Sequence, residues 1–349
     1  MRIAVLAPLS WRVPPRHYGP WELFASLLTE GLVARGHEVT LFATGDSLTS
    51  ARLCSVIPTG WSEDVTVDPK VAECLHISHV FERAAEFDII HNSFDFLPLT
   101  YARLVTTPVV TTIHGFSSEN IIRVYKEYNR RVAYVAISES DRHPDLDYAA
   151  TIHHGIDTDR FALHPAPDGY LAFFGRIHPD KGVLEAIETA RQAGLPLRMA
   201  GIIQDQAYFD KEIGPRIDGQ RVQYLGPVVG DDRSEFLGGA SALLHLIGFD
   251  EPFGFSVVES MASGTPVIAF RRGSMPELID EGITGMVVDD MTAAVAAVGR
   301  VQAFDRTLIR ATAVRRFGYD RMVDQYVAVY KRLIERAGDA DRFRARLDS

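Results

Sequence analysis

Short apolar runs alternate with helically spaced stretches along nearly the whole chain. Residues 2–8 (Arg-Ile-Ala-Val-Leu-Ala-Pro) form an apolar run closed by proline, the pattern of a buried parallel strand. A polar, proline-rich loop follows over 10–20. Leu23, Phe24, Leu27, Leu28, Leu32 and Val33 then fall at helical spacing, Gly36 ends the helix, and a strand resumes at 38–43. Strand, loop, helix and strand in this order make a βαβ unit. The alternation predicts further strands at 88–91, 108–113 and 132–137, with helices at 69–86 and 119–131. Around 155–169 the pattern lapses into a stretch rich in Pro and Asp, which reads as a linker. A second series predicts strands at 170–174, 197–200, 222–225, 242–247, 266–270 and 286–288, and an amphipathic helix over 319–336 closes it. The fold class is α/β, with two consecutive doubly wound parallel-sheet domains over 1–160 and 165–315.

In an open parallel sheet, ligands bind at the carboxyl ends of the strands. Unusual residues cluster there. Tyr18-Gly19-Pro20 follows the first strand, His114-Gly115 follows 108–113, and Ser138-Glu139-Ser140 follows 132–137. In the second series Gly175-Arg176 and Lys181-Gly182 follow 170–174. The segment 250–254 and a helix carrying Glu259 follow 242–247, and Arg271-Arg272-Gly273-Ser274 follows 266–270. Both domains present polar, glycine-bearing loops on these edges; if the edges face each other, the cleft between them is the site.

Composition narrows the function classes. The chain has 349 residues, 46% hydrophobic and 23% charged, with a net charge of -10. That is a poor start for binding nucleic acid or an anionic membrane. Only 300–349 is basic, with 12 basic against 7 acidic residues. Cys54 and Cys74 cannot build a disulfide framework or a cysteine zinc site and suit a reducing cytosol. The first apolar run is too short for a signal peptide, and no stretch approaches a membrane span. A cytoplasmic, soluble protein is expected. One stretch departs from this: 119–132 carries Arg123, Lys126, Arg130 and Arg131 among apolar residues, a basic amphipathic face suited to peripheral contact with a membrane, or simply a solvated helix.

The candidate chemistry lies in the second series. Arg176 offers a planar fork and Lys181 a point charge, a pairing suited to a diphosphate, and the flanking glycines let backbone approach a ligand. The plain alternative is two solvated surface charges. Glu251 and Glu259 bracket a strand-to-helix turn whose Gly254 leaves a helix mouth suited to an anion. A carboxylate there could accept hydrogen bonds from vicinal hydroxyls of a ribose or hexose, or merely cap the helix. His114 closes a strand and is either structural or a ligand. His153-His154 point to opposite faces of an extended segment, which argues against metal. No P-loop, Gly-x-Gly-x-x-Gly after the first strand, Gly-x-Ser-x-Gly elbow or His-Glu-x-x-His occurs.

Glu251-Pro-Phe-Gly-Phe-Ser-Val-Val-Glu259 resembles the Glu-x7-Glu signature of retaining GT-B glycosyltransferases, family four in particular. Phe174-Gly-Arg-Ile-His-Pro-Asp-Lys181-Gly resembles that family's phosphate-binding segment, and 31–40, 222–226 and 282–288 resemble further parts of it. The resemblance implies a GT-B fold, two Rossmann-like domains facing a deep cleft, with the helix from Tyr319 returning to the first. It implies a hexosyltransferase that moves a sugar from a nucleoside-diphosphate donor, such as UDP-glucose or GDP-mannose, to a hydroxyl acceptor with retention of configuration. By position, Arg176 and Lys181 would hold the diphosphate, Glu251 the hexose and Glu259 the ribose. Backbone N–H groups of Phe253, Gly254 and Phe255 would meet sugar and phosphate, and Leu225 would lie near the base. His114 would bind the 6-hydroxyl of the transferred sugar, Gly19 would approach the diphosphate, and Ser138 joins the donor-binding set. Pro20 removes one N–H donor beside Gly19. The cations would replace the metal of other sugar transferases, so no essential metal and no cofactor are expected, and no protein nucleophile is needed. Two rivals share the architecture: a sugar-nucleotide epimerase and a non-catalytic sugar-nucleotide-binding protein.

Overall fold

The computed structural model describes residues 1–17 and 19–347, the side chains of 340–347 excepted; Tyr18 and the far end of the basic tail thus lie outside the described residues. The chain divides into two compact units. Unit 1 is Met1–Gly155 joined by the chain from Tyr319 onward, and unit 2 is Ile156–Gly318.

Unit 1 is built on a seven-stranded parallel sheet of β1 (Arg2–Leu6), β2 (Glu38–Phe42), β3 (Arg52–Cys54), β4 (Ile89–Asn92), β5 (Val109–Ile113), β6 (Ala133–Ala136) and β7 (Tyr148–Thr151), in the order 3-2-1-4-5-6-7. The central strands are apolar at nearly every position because helices cover both faces, so alternation gives way to continuous hydrophobic runs. The helix Pro20–Ala34 packs Phe24, Leu28 and Leu32 on one face, beside Met322, Val323, Tyr326 and Tyr330 of the helix Tyr319–Leu347. A buried polar chain ties that last helix to the sheet. His91 Nδ1 shares a 2.6 Å hydrogen bond with Tyr330 Oη, and Thr112 Oγ1 lies 3.1 Å from His91 Nε2 and 2.8 Å from Tyr326 Oη.

Unit 2 carries six parallel strands: β8 (Tyr170–Phe174), β9 (Leu197–Ala200), β10 (Val222–Tyr224), β11 (Ala240–His245), β12 (Val267–Phe270) and β13 (Gly285–Val288), in the order 10-9-8-11-12-13. The order reverses between β8 and β11, which makes their carboxyl ends the expected ligand crevice.

Several expectations shift. Residues 156–169 belong to unit 2 rather than to a linker. Ile156 N donates to Phe317 O at 2.8 Å, Ala162 N to Ser234 Oγ at 2.9 Å and Asp168 N to Gly239 O at 2.7 Å, so the stretch is pinned by partners distant in sequence. The edge strands β3 and β7 were not predicted. The helix expected over 119–131 is a 3-10 turn, Glu119–Ile121, followed by a short α-helix, Ile122–Tyr128. Two of its four cations are engaged: Lys126 Nζ meets Asp145 at 2.7 Å, and Arg131 donates to the carbonyls of Ala102 and Val105. Among the described residues no helix is long and apolar enough to cross a membrane.

Candidate functional site

The loops at the β8/β11 switch point bring three of the sequence-predicted residues, Lys181, Glu251 and Glu259, into two ion pairs. After β8 the chain makes a 3-10 turn, Pro179–Lys181, then passes through Gly182 into the helix Val183–Ala193. Gly182 has φ 71°, and a Cβ there would overlap the carbonyl of Leu246, so only glycine lets the Lys181 turn seat against the end of β11. Lys181 Nζ donates to Glu251 Oε2 at 2.9 Å and sits 4.6 Å above the Phe249 ring. Both partners are largely buried, at 12% and 18% side-chain exposure. His245, the last residue of β11, places Nε2 3.3 Å from the same carboxylate oxygen. Burial alone would raise the Glu251 carboxyl. The neighbouring His245 and Lys181 outweigh it and hold it down to about 2, so this carboxylate is ionised throughout the working range.

The β12 loop fastens this arrangement. Ser274 N donates to Glu251 O at 3.0 Å, Gly273 N to Asp250 Oδ1 at 2.9 Å, and Ser274 Oγ to Phe253 O. The chain then turns at Gly254, φ 110°, into the helix Phe255–Ala262. Phe253 is buried in T-shaped contact with Phe255 at 5.3 Å, which anchors the helix mouth.

Glu259, one turn into this helix, is the second carboxylate. It accepts from Arg233 Nη1 at 2.9 Å, with only 4% of its side chain exposed. Arg233 comes from the helix Asp231–Gly238 and lies 5.3 Å over Phe174 at the end of β8; its Nε is buried without a hydrogen-bond partner among the described residues. Burial raises the Glu259 carboxyl above its ordinary value, against the opposing charges of Arg233 and, more weakly, Arg160. A carboxyl raised on folding favours the fold when protonated, and that contribution is lost as pH rises through its folded value. Arg233→Leu moves that value further up. Its melting temperature should lie close to the parent's at about pH 4.5 and fall several degrees below it by about pH 7. A pH series of thermal melts checks this; a constant gap would mean the pair does not set the ionisation of Glu259.

The remaining residues are placed differently. Arg176 does not join the Lys181–Glu251 pair. It donates to Gln204 Oε1 and stands 4.0 Å from Asp180. Leu225 is 49% exposed just past the edge strand β10. In unit 1, Gly19 is the N-cap of the helix Pro20–Ala34. Ser138 is buried and takes up its hydroxyl locally, 3.0 Å from Ser140 Oγ and accepting from Asp141 N at 3.1 Å. His114 is 8% exposed, stacks on Trp21 at 5.2 Å and on His154 at 5.1 Å, and shares a 3.3 Å contact between its Nδ1 and His154 Nε2. Its Nε2 has no partner among the described residues, and burial lowers its pKa to about 3, so the ring is neutral. Sequence reasoning missed Arg233 and His245. The first looks like a solvated helix residue beside two aspartates, and the second like one more strand-end histidine. Among the described residues no three His, Cys, Asp or Glu side chains converge to hold a metal ion.

The chain is similar to known glycosyltransferases over most of its length. Residues 156–304 match the family model Glycosyl transferases group 1, and residues 22–160 match Glycosyltransferase Family 4. Phosphatidyl-myo-inositol mannosyltransferase of Mycobacterium leprae is 24% identical over 95% of this chain and 96% of its own length. Among solved structures, AviGT4, a glycosyltransferase involved in avilamycin A biosynthesis, is 26% identical, covers 96% of this chain and 98% of its own, and superposes with a TM-score of 0.72. HepE of Anabaena in complex with UDP-glucose covers 95% and 100% at 18% identity, with a TM-score of 0.70.

Proposed function

The chain belongs to the group 1, family 4 glycosyltransferases, and from that membership we propose that it moves a hexose, glucose or mannose, from a nucleoside-diphosphate donor to a hydroxyl acceptor with retention of configuration and without an essential metal. The observation that carries this reading is the convergence at the β8/β11 switch point, where Lys181 meets Glu251 and the next helix presents the buried Glu259. The mycobacterial relative is named for mannosyl transfer, which supports mannose as one of the two sugars.

The charged roles follow from the bond that breaks, and the others are those the family resemblance implies. As the bond between the anomeric carbon and the phosphate oxygen breaks, negative charge grows on the diphosphate. The Lys181 ammonium, the Arg176 guanidinium and the helix mouth at Gly254 stabilise it, backbone N–H groups of Phe253 and Phe255 adding to them. Donor binding draws Lys181 toward phosphate and leaves the ionised Glu251 to accept hydroxyl hydrogen bonds from the hexose. Glu259 accepts from the ribose hydroxyls, Leu225 offers an apolar surface to the base, and Gly19 and Ser138 belong to the donor-side set. On unit 1, His114 offers Nε2 to a sugar hydroxyl. The acceptor oxygen bonds to the anomeric carbon on the face the phosphate leaves, and its proton passes to a donor phosphate oxygen. No carboxylate pair at glycosidase spacing takes part.

The test is a screen of UDP-, GDP- and ADP-hexoses for nucleotide release, followed by NMR of the product's anomeric centre. Retention and a single preferred donor are expected; inversion overturns the mechanism. In the same assay EDTA should leave at least about half of the activity, because fixed cations do the work of a metal. Complete loss restored by magnesium overturns the metal-free reading.

A further inference from the structure

Unit 1 holds a cavity of about 590 Å³ at its own switch point, where β1 and β4 end side by side. We propose that this cavity is the acceptor site and that it takes an uncharged polyhydroxylated ring, a hexose or cyclitol that carries no phosphate. The proposal rests on reading the chain as a hexosyltransferase and goes on to name the class of its second substrate.

The lining is specific in kind. All three tryptophans of the chain, Trp11, Trp21 and Trp61, face this one cavity, although Trp61 stands 40 residues beyond Trp21 in sequence. A pyranose or cyclitol ring has a C–H face that stacks on an indole, and a rim of hydroxyls that needs hydrogen-bond partners. Glu22, Glu73 and Asp95 supply those partners among the lining residues. Glu22 is buried, with its carboxylate turned toward the backbone amides of Trp11 and of its own residue, and burial pushes it up to about 7. At neutral pH it therefore both donates and accepts, as a hydroxyl ligand requires. Asp95 accepts from Tyr125 Oη at 2.6 Å, while the Asn92 side chain donates to its carbonyl at 2.8 Å. These bonds hold Asp95 at φ 88°, the left-handed region that a non-glycine residue occupies at a cost. Trp61 Nε1 is buried without a hydrogen-bond partner among the described residues.

Charge decides against a phosphate. Among the described residues no lysine, arginine or histidine lines the cavity. Arg16, in the loop that supplies Trp11, is taken by Asp46 at 3.1 Å and Glu63 at 2.5 Å. Arg12, next to Trp11, is not among the lining residues, and its Nε is buried without a hydrogen-bond partner among the described residues, so it is the cation a phosphate would have to recruit. A phosphate dianion would enter beside three carboxyl groups with no counter-charge in the lining. Those carboxyl groups do not converge to hold a metal ion either. Position decides for an acceptor: Trp21, a wall of the cavity, stacks on His114, the unit 1 residue assigned to a sugar hydroxyl.

Because every tryptophan lies at this cavity, intrinsic fluorescence of the full chain reports on it directly. The probes are methyl glucoside, methyl mannoside, maltose and myo-inositol, each set against glucose 6-phosphate, mannose 6-phosphate or inositol 1-phosphate. At least one neutral ring should shift the emission saturably, and its phosphate should bind about tenfold or more weakly. Glu73→Lys, at a half-buried lining position, should narrow that gap by favouring the phosphate. A phosphate that binds as tightly as its neutral parent, above all if Arg12→Ala abolishes it, overturns the proposal. So does the lack of a saturable shift with any neutral ring. Donor binding is measured separately by calorimetry. Donors that bind while neutral rings do not would sink the acceptor assignment alone; neutral rings that bind while no donor does would sink the transferase reading and leave the cavity a sugar site.

Discussion

Lys181→Ala should lower kcat by about 10²–10³-fold, with a smaller change in donor affinity. On the proposed mechanism the ammonium matters most when charge accumulates on the leaving diphosphate, and removal of one preorganised donor from such a site typically costs about 3–4 kcal/mol of transition-state stabilisation. The substitution also strips Glu251 of its direct partner at 2.9 Å. Breaking a buried pair from one side leaves an uncompensated charge, which costs about 3–5 kcal/mol in a closed interior. Here His245 stays 3.3 Å from the carboxylate and the pair is partly exposed, so the loss of stability should be smaller. Lys181→Ala with Glu251→Gln removes the orphan charge. If Lys181 acts on the diphosphate, the double variant recovers melting temperature but stays far below Glu251→Gln alone in kcat, the comparison that takes out the effect of Glu251 itself. A double variant as stable and as active as Glu251→Gln alone would show that Lys181 merely braces the loop. Steady-state kinetics with the preferred donor, beside a thermal melt, separates the two.

Glu259→Ala should weaken donor binding by about 30- to 100-fold, the value of about 2–3 kcal/mol for hydrogen bonds to a buried charged acceptor. The fold should hold, because Arg233 is partly exposed and retains its contact with Phe174. Glu259→Gln keeps the shape and one acceptor oxygen, so its donor affinity should fall between those of the parent and the alanine variant. Calorimetry with the nucleoside diphosphate alone and with the full donor locates the effect. A ribose contact weakens both ligands equally, whereas a loss confined to the full donor would assign Glu259 to the sugar instead. Unchanged affinity for both would remove it from the site.

The two carboxylates of the Glu-x7-Glu spacing are thus unlike in their surroundings. Glu251 is held ionised by His245 and Lys181, while Glu259 is raised by burial and opposed by Arg233. Their spacing along the chain was legible, because a strand-end loop and the first turns of a helix place them locally. Their partners were not. Lys181 lies 70 residues from Glu251, and Arg233 lies 26 residues from Glu259, on helices and loops whose approach depends on how β8 and β11 pair. The same reason hid the cavity of unit 1: three scattered tryptophans carry no periodic signal.

The fold shows the same division. Central strands were legible because burial on both faces leaves continuous apolar runs such as Val109–Ile113. The edge strands Arg52–Cys54 and Tyr148–Thr151 were not, since they are short and only partly covered. Residues 156–169 read as a linker because Pro and Asp suppress local periodicity, while their hydrogen bonds go to distant elements of unit 2. By itself, then, the sequence determined the doubled parallel α/β architecture and the glycine, cation and carboxylate motifs of the loops at the β8/β11 switch point. Those are written in local periodicity and short spacings. Only the tertiary structure decided which cation meets which carboxylate, which strands form the edges, and where the tryptophans gather, because each of these is a tertiary contact that no local periodicity records.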